Sequence, residues 1–320
     1  MALRRDTELS LGRRHRLMAG LARMPPPAPE RTMSAMTYRD ILLPLFTYPD
    51  ALPEAAMRTA ASIAARLGAA ADGEVTAMAL EVRIKPARNR LANLLAGIDD
   101  LVREENAANV QRALTAGLLW QEIAGERALN SGFVVQPTDF YFEGDVLANA
   151  ARTRDICLIS VGPRVEIDRS VAEAVLFGSG RPVLVFPEDG EVGDAAAFER
   201  VVVAWDGSRA ASRALADALP LLKQATEVRI LTVLDEKASA TAGLGGDVVR
   251  HLTRHGVKAG IDEERVGGRP VGTVLETYAA ANADLLVMGG FGHSRAREFL
   301  LGGATRSILN QPRGPVFLSH

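Results

Sequence analysis

The stretch RVVVAWDGSRAASRALADALPLLKQATEVRILTVL, residues 200–234, contains two runs of apolar strand formers with a helical pattern between them. Strands that are apolar throughout are typical of parallel sheets that helices cover on both faces. A strand, a helix and a second strand in this order predict an α/β fold.

The same unit occurs earlier in the chain. DILLPLF (40–46) corresponds to RVVVAWD (200–206), and the closing strands RPVLVFP (181–187) and GPVFLSH (314–320) also correspond. Each copy therefore predicts a doubly wound parallel sheet of five strands, because strands alternate with helices throughout. The expected architecture is two such α/β domains in tandem, and the chain length favours the same number of domains.

Changes in composition set the predicted boundaries. Residues 37–187 form the first copy, the polar residues 188–199 the linker, and residues 200–320 the second copy. Residues 1–36 carry seven arginines, three acidic residues and a run of prolines that no helix can continue through, so a disordered extension is expected there. The alternatives for this segment are an Arg-rich targeting peptide and a translation start at Met33 or Met36.

The overall charge and the single cysteine limit the class of protein. The net charge of -2 gives no general attraction to nucleic acid or to an anionic membrane. No uncharged apolar run approaches the roughly 20 residues that a membrane span requires. Cys157 is the only cysteine, so no intrachain disulfide is possible. A cytoplasmic protein with neither nucleic acid nor membrane as a partner is expected.

The first copy is longer than the second because of one insertion, residues 88–128. Its apolar residues recur at helical spacing and predict a long amphipathic helix; those used for this prediction are Leu91, Leu94, Leu95, Ile98 and Leu101. The expected role is packing, and an interaction surface is the alternative.

The segment VMGGFGHSRAREFLLGGATRSIL, residues 287–309, is rich in glycine and resumes as a helix after its last glycine pair. Glycines let backbone N–H groups approach an anion, and a helix N-terminus favours negative charge. An ordinary strand-to-helix connection is the alternative. Ligands of parallel sheets bind beyond the carboxyl ends of the strands, where the strand order reverses, and there the segment is expected to meet Asp206. This position favours a phosphate-binding site.

The glycine spacing of this segment resembles that of the universal stress protein family. Nucleotide-binding members have Gly, two residues, Gly, nine residues, Gly and then Ser or Thr after the fourth strand, and this chain has Gly289, Gly292 and Gly302 at that spacing. The chain from about residue 38 to 320 resembles the tandem-domain members. The resemblance implies a Rossmann-like fold for both domains and ATP, with or without Mg²⁺, as the ligand.

The resemblance also implies individual binding residues. The family's first-strand acid corresponds to Asp206, for which a cap on the following helix is the alternative, and its adenine-contacting position corresponds to Val233. Gly303 stands where the family has Ser or Thr, yet the N–H groups of Gly303, Ala304 and Thr305 can face a phosphate at the start of a helix. Thr305 is either a substitute for the missing hydroxyl or a helix-start residue.

Basic residues lie inside the same loop. His293 and Arg295 are candidates for phosphate contact, because arginine supplies charge-assisted hydrogen bonds, and solvated loop residues are the alternative. No partner carboxylate or nucleophile marks His293 as a base, so no catalytic residue is assigned. His251 and His255 have metal-ligand spacing on a helix but lack a third ligand, so no metal site is predicted.

The expected function is that of an ATP-binding universal stress protein, a non-catalytic regulator of the stress response. A slow ATP hydrolase that uses the same site is the alternative. The nucleotide site is expected in the second copy only, because Phe46 stands where the second copy has Asp206, and Pro163, which has no N–H, follows Gly162. LFGSG (176–180) is expected to form the turn into the closing strand of the first copy.

The two closing strands would be apolar edges if each sheet ended with them. The copies are therefore expected to pack together as a pseudo-twofold pair within the chain. A homodimer of whole chains is left open.

Overall fold

Strands and helices alternate along both halves of the chain. The computed structural model describes residues 38–69, 73–85, 98–190, 197–235, 240–290 and 303–320. The predicted extension, residues 1–36, lies outside them. The first half comprises β1 (Asp40–Leu45), α1 (Glu54–Arg66), β2 (Glu74–Arg83), α2 (Ile98–Glu126), β3 (Ser131–Asp139), α3 (Glu143–Ala151), β4 (Ile156–Val161), α4 (Val165–Ser179) and β5 (Val183–Pro187). The second half comprises β6 (Arg200–Ala204), α5 (Arg209–Leu222), β7 (Glu227–Leu234), α6 (Gly246–Arg254), β8 (Ala259–Arg265), α7 (Val271–Asn282), β9 (Leu285–Gly289), α8 (Gly303–Asn310) and β10 (Val316–Ser319).

All ten strands belong to one sheet, in the order β3-β2-β1-β4-β5-β10-β9-β6-β7-β8. Neighbouring strands are parallel except for β5 and β10, which are antiparallel. In each half the first strand lies between the second and the fourth, as in doubly wound sheets, so the α/β fold class is confirmed. The two five-stranded sheets are continuous rather than separate, because their apolar closing strands pair with each other. The boundaries of the two domains stay a prediction.

The junction between β5 and β10 lies on a local twofold axis. The strand registers of the two halves make Val183 equivalent to Val316 and Leu184 equivalent to Phe317. Leu184 and Phe317 are also paired with each other across the junction. Antiparallel pairing of equivalent positions is the arrangement found in twofold-symmetric interfaces. Here both partners belong to one polypeptide.

The fourth strand begins in the same way in both halves. Oδ2 of Asp155 accepts hydrogen bonds from two backbone N–H groups at the start of β1, at 2.8 and 3.1 Å. Oδ2 of Asp284 accepts the corresponding bonds at the start of β6, at 3.2 and 3.0 Å. Each carboxylate thus ties the fourth strand of its half to the first. The two halves therefore share not only their strand order but also this carboxylate-to-backbone hydrogen bonding.

The long helix predicted in the insertion is present as α2. Trp120 is fully buried against β2 and β3, and its Nε1 donates to Oγ of Ser131 at 2.7 Å. The periodicity assigned Leu101 to the buried apolar face, but this residue is 62% exposed. The face of α2 that packs against β2 and β3 is instead the one that contains Trp120. Leu91, Leu94 and Leu95 lie outside the described residues. Neither α2 nor any other described helix is long and apolar enough to cross a membrane.

Helix α4 differs from its prediction at the carboxyl end. The segment LFGSG was expected to form a turn, but Gly178 and Ser179 are the last residues of the helix. The turn is made by Gly180, whose φ of 71° is in the left-handed region that favours glycine. Gly178 is retained within the helix at a point of close packing, because a Cβ there would lie 2.9 Å from the Cβ of Ala148 on α3.

Candidate functional site

The candidate site lies at the carboxyl ends of β6, β7 and β9. The sheet order places β6 between β9 and β7. The connection that follows β6 leads to β7 on one side, and the connection that follows β9 leads to β10 on the other. This reversal of strand order opens the crevice in which α/β sheets bind ligands. The structure brings Asp206, Val233 and Gly289 to this end of the sheet.

A tight turn at the end of β6 holds Asp206. Oδ1 of Asp206 accepts a hydrogen bond from the N–H of Ser208 at 2.9 Å, and the intervening Gly207 has a φ of 74°. Oγ of Ser208 in turn accepts from the N–H of Ala211 at 3.1 Å and caps α5. The cap on this helix is therefore Ser208, and one oxygen of Asp206 shapes the turn at the crevice.

Gly289, the last residue of β9, passes directly beneath the first turn of α5. A Cβ at this position would lie 2.4 Å from the backbone N of Ala211 and 2.5 Å from the carbonyl carbon of Ala210. No side chain fits there, so this glycine is required by backbone packing at the crevice. The strand registers make Ser160, rather than Gly162, its equivalent in the first half.

Val233 lies where β7 extends beyond β6. The pairing of the two strands ends at Ala204 and Leu231, two residues before Val233. Alternate residues of a strand direct their backbone groups to the same neighbour, so the N–H and C=O of Val233 point to the space beyond the end of β6. The adenine contact of Val233 stays a prediction.

Helix α8 begins with the remaining described residues of the predicted site. Gly303 is exposed, and a Cβ added to it would meet nothing within 4 Å, whereas Thr305 is only 3% exposed. Gly303, Ala304 and Thr305 form the first turn of α8, the part of a helix whose N–H groups are not used by the helix itself. Their contact with phosphate stays a prediction. Four predicted residues of the site lie outside the described residues: Gly292, His293, Arg295 and Gly302.

The equivalent crevice of the first half is filled by charged side chains. The registers make Phe46 the equivalent of Asp206, and the Arg164 guanidinium carbon lies 5.1 Å from the centre of the Phe46 ring. Arg164 also pairs with Asp168 and with Glu188, each at 3.5 Å. Oδ2 of Asp168 accepts from the N–H of Gly162 at 2.9 Å. We call Arg164, Asp168 and Glu188 the first-half cluster.

The pKa values of both carboxylates of the first-half cluster are raised. Burial raises the pKa of Asp168, and Arg164 and the Gly162 N–H offset part of that rise. Burial likewise raises the pKa of Glu188, Arg164 lowers it, and Asp168 and Asp189 raise it further. The sequence carried one signal for this cluster, the helical i, i+4 spacing of Arg164 and Asp168. Counting glycines in this segment did not detect it.

His251, His255 and Cys157 do not belong to the strands and the helix that carry the candidate site. The rings of His251 on α6 and of His255, which directly follows α6, meet edge to face with their centres 4.7 Å apart. Among the described residues, no three His, Cys, Asp or Glu side chains are grouped so that they could hold a metal ion. Burial raises the pKa of the Cys157 thiol well above its usual value, so the buried thiol is unreactive.

The match to a known protein family lies in the second half of the chain. Residues 197–320 match a model of the universal stress protein family, which covers β6 to β10 and the whole candidate crevice. Over these residues the chain is similar to the universal stress protein family, and the resemblance drawn from the glycine spacing is confirmed for this half.

One solved structure extends the similarity of fold to both halves, and two more are similar at lower scores. A universal stress protein from Archaeoglobus fulgidus DSM 4304 is 19% identical, with 88% of this chain and 97% of that chain covered and a TM-score of 0.61. A functionally unknown protein from Pseudomonas aeruginosa PAO1 is 14% identical, with coverages of 87% and 92% and a TM-score of 0.47. Universal stress protein UspA from Lactobacillus plantarum is 19% identical, with coverages of 38% and 97% and a TM-score of 0.27. No curated protein sequence matches the chain.

Proposed function

We propose that the protein is an ATP-binding universal stress protein of the cytoplasm, a non-catalytic regulator with one nucleotide site in its second half. The observation that supports this most strongly is that Asp206, Val233 and Gly289 lie at the carboxyl ends of three neighbouring strands, β6, β7 and β9. These residues and the start of α8 all belong to the segment that matches the family.

The described residues suit the three parts of an adenine nucleotide. The N–H groups of Gly303, Ala304 and Thr305 would bind phosphate oxygens, because a helix N-terminus attracts anions. The backbone of Val233 would pair with the edge of adenine, and the carboxylate of Asp206 would accept hydrogen bonds from ribose hydroxyls. The nucleotide supplies a charged triphosphate whose binding can change the conformation of the chain, and this occupancy is the proposed signal.

Calorimetry on nucleotide-free protein tests the proposal. We expect ATP to bind with a stoichiometry near one per chain, because Phe46 and Arg164 occupy the first crevice. Asp206→Ala should weaken binding by about 1.5–3 kcal/mol, the range for hydrogen bonds to charged groups. Asp262→Ala, on the outer strand β8, is the control and should leave the affinity unchanged. Absence of ATP binding would refute the proposal, and a stoichiometry near two would refute the single site.

Incubation with ATP separates the regulator from the hydrolase. A non-catalytic regulator should return intact ATP after hours, since no residue is assigned as a general base. Steady release of ADP, lost in Asp206→Ala, would show that the same site hydrolyses ATP and that the protein is an enzyme.

The residue at position 303 offers a gain-of-affinity test. Gly303→Ser should strengthen ATP binding by about 0.5–1.5 kcal/mol, the value of one added hydrogen bond, because it places a hydroxyl where the family has one. The side chain fits, since nothing lies within 4 Å of the added Cβ. Gly303→Ala is the matched control, because it adds the Cβ without the hydroxyl. Equal affinities for the two variants would show that position 303 does not face the phosphates.

A further inference from the structure

We propose that helix α4 of the first half positions the nucleotide site of the second half, so that nucleotide affinity depends on both halves. This inference rests on the proposed function. One side of α4 carries Arg169, Glu173, Leu176 and Phe177, whose i, i+4, i+7 and i+8 spacing places them on a single helix face. We call these four residues the α4 face. Arg169, Leu176 and Phe177 each contact a residue that follows β9, and Glu173 lies in the electrostatic field of one.

Leu176 and Phe177 hold the start of the loop that follows β9. A Cβ added to Gly290 would lie 2.6 Å from Cδ2 of Leu176, so the leucine packs directly on this glycine. On its other side the N–H of Gly290 donates to the C=O of Ser319 at 2.7 Å. His320 joins the two contacts, since its Nδ1 lies 2.9 Å from the C=O of Gly290 and its ring packs edge-on against Phe177 at 4.8 Å. The first residue of the loop is therefore fixed from both sides.

Arg169 and Glu173 hold the helix at the far end of the same loop. Nη1 of Arg169 donates to Oδ1 of Asn310, the last residue of α8, at 2.8 Å. Glu173 pairs with Arg169 at 3.6 Å and also lies in the field of Arg306 on α8. The α4 face thus fixes both Gly290, where the loop begins, and α8, whose first turn would bind phosphate.

A helix that contacts both Gly290 and α8 should influence the proposed nucleotide site, because the first turn of α8 is the proposed phosphate-binding element. Any displacement of α4 moves Gly290 and α8 relative to Asp206, which is held on β6. The coupling is reciprocal, because a ligand that binds more tightly when α4 is in place must also stabilise α4 in place. The first half, whose own crevice is closed by the first-half cluster, would then act as a control element for the second.

Affinity measurements on variants of the full chain test this coupling. Arg169→Ala and Leu176→Ala should each weaken ATP binding by about 2- to 30-fold, the range for residues that couple to a site without touching its ligand. Ser170→Ala, on the exposed side of α4, is the control and should bind ATP as the wild type does. Gly290→Ala should also weaken binding, and adding Leu176→Ala should restore part of the loss, because it removes the atom that the new methyl meets.

Hydrogen exchange gives a readout that does not depend on affinity. ATP should slow the exchange of amides in α4 of the wild type, and this protection should be lost in Arg169→Ala. Arg169 is only partly buried, so this variant is expected to fold even where Leu176→Ala does not. Wild-type affinity and unchanged α4 protection in Arg169→Ala would overturn the inference and leave the proposed function standing. A wild-type chain that binds no ATP would overturn both.

Discussion

Arg164→Ala should lower the free energy of unfolding by about 3–5 kcal/mol, the usual cost of removing one partner from a buried ion pair. The guanidinium lies between two buried carboxylates, and the side chains of Arg164, Asp168 and Glu188 are 12%, 0% and 12% exposed. Without the cation, two negative charges share the first crevice with little water to screen them. The contact of the guanidinium with the Phe46 ring is lost as well.

Chemical denaturation of the variant and of a matched surface variant measures this cost. Arg103→Ala breaks an ion pair with Asp100 in which both side chains are largely exposed. Its effect should lie within about 0.5 kcal/mol of zero, as for most surface substitutions. A loss in Arg164→Ala as small as that in Arg103→Ala would show that the first-half cluster contributes no stability.

The same variant should respond to pH in a defined direction. Burial already raises the pKa of Asp168 and of Glu188 in the wild type, and removal of Arg164 should raise both further. The folded variant then binds protons more tightly than the unfolded chain, in which carboxyl pKa values are about 3.9 to 4.3. Its stability should therefore decrease as the pH rises through the raised pKa values of the folded variant, and increase as the pH falls through them towards the unfolded values. Arg164→Ala combined with Asp168→Asn should show a weaker dependence.

Gly289→Val should be the most damaging single substitution at the candidate site. Its Cβ would meet the backbone of Ala210 and Ala211 at about 2.5 Å or less, so the first turn of α5 must move away from the sheet. Forced repacking of this kind costs about 1–3 kcal/mol or more, and here backbone rather than a flexible side chain must yield. Because Ser208 caps α5 and shares the turn with Asp206, the displacement should also abolish ATP binding.

Gly303→Val is the matched control for this substitution. It introduces the same side chain into the other described glycine of the site, where an added Cβ meets nothing within 4 Å. Its melting temperature should stay close to that of the wild type, while that of Gly289→Val should fall by several degrees. Equal melting temperatures and equal ATP affinities in the two variants would show that β9 does not pass beneath α5 as described.

The fold could be predicted from the sequence because its signals are local. The run VVVA within β6 is apolar at every position, and helices such as α5 repeat their apolar residues at helical spacing. The type and order of the elements therefore follow from neighbouring residues. The continuity of the sheet could not be derived in this way. Whether two apolar edges pair with each other depends on residues more than 100 positions apart, namely Leu184 and Phe317.

In the candidate site, too, features with a local sequence signal could be predicted, and features that depend on contacts between distant residues could not. The glycine spacing and the acid at the end of β6 are linear patterns, so Asp206 and Gly289 could be identified before the structure was known. The first-half cluster could not, because Glu188 follows a different strand and meets Arg164 only when the sheet has formed. The equivalence of Ser160 with Gly289 was also hidden, since it depends on strand register and not on the position of the nearest glycine.

The twofold pairing of Leu184 with Phe317 also affects how the two halves can evolve. In a dimer of identical subunits, every substitution appears twice, so a side chain that closes one crevice closes the other. A single polypeptide with the same internal symmetry is free of this constraint, because each half is encoded by its own stretch of the gene. Phe46 and Arg164 can be selected in one half while Asp206 and Gly289 persist in the other. Covalent joining also keeps the two kinds of half in equal numbers at every protein concentration, which two separate genes would have to achieve by matched expression.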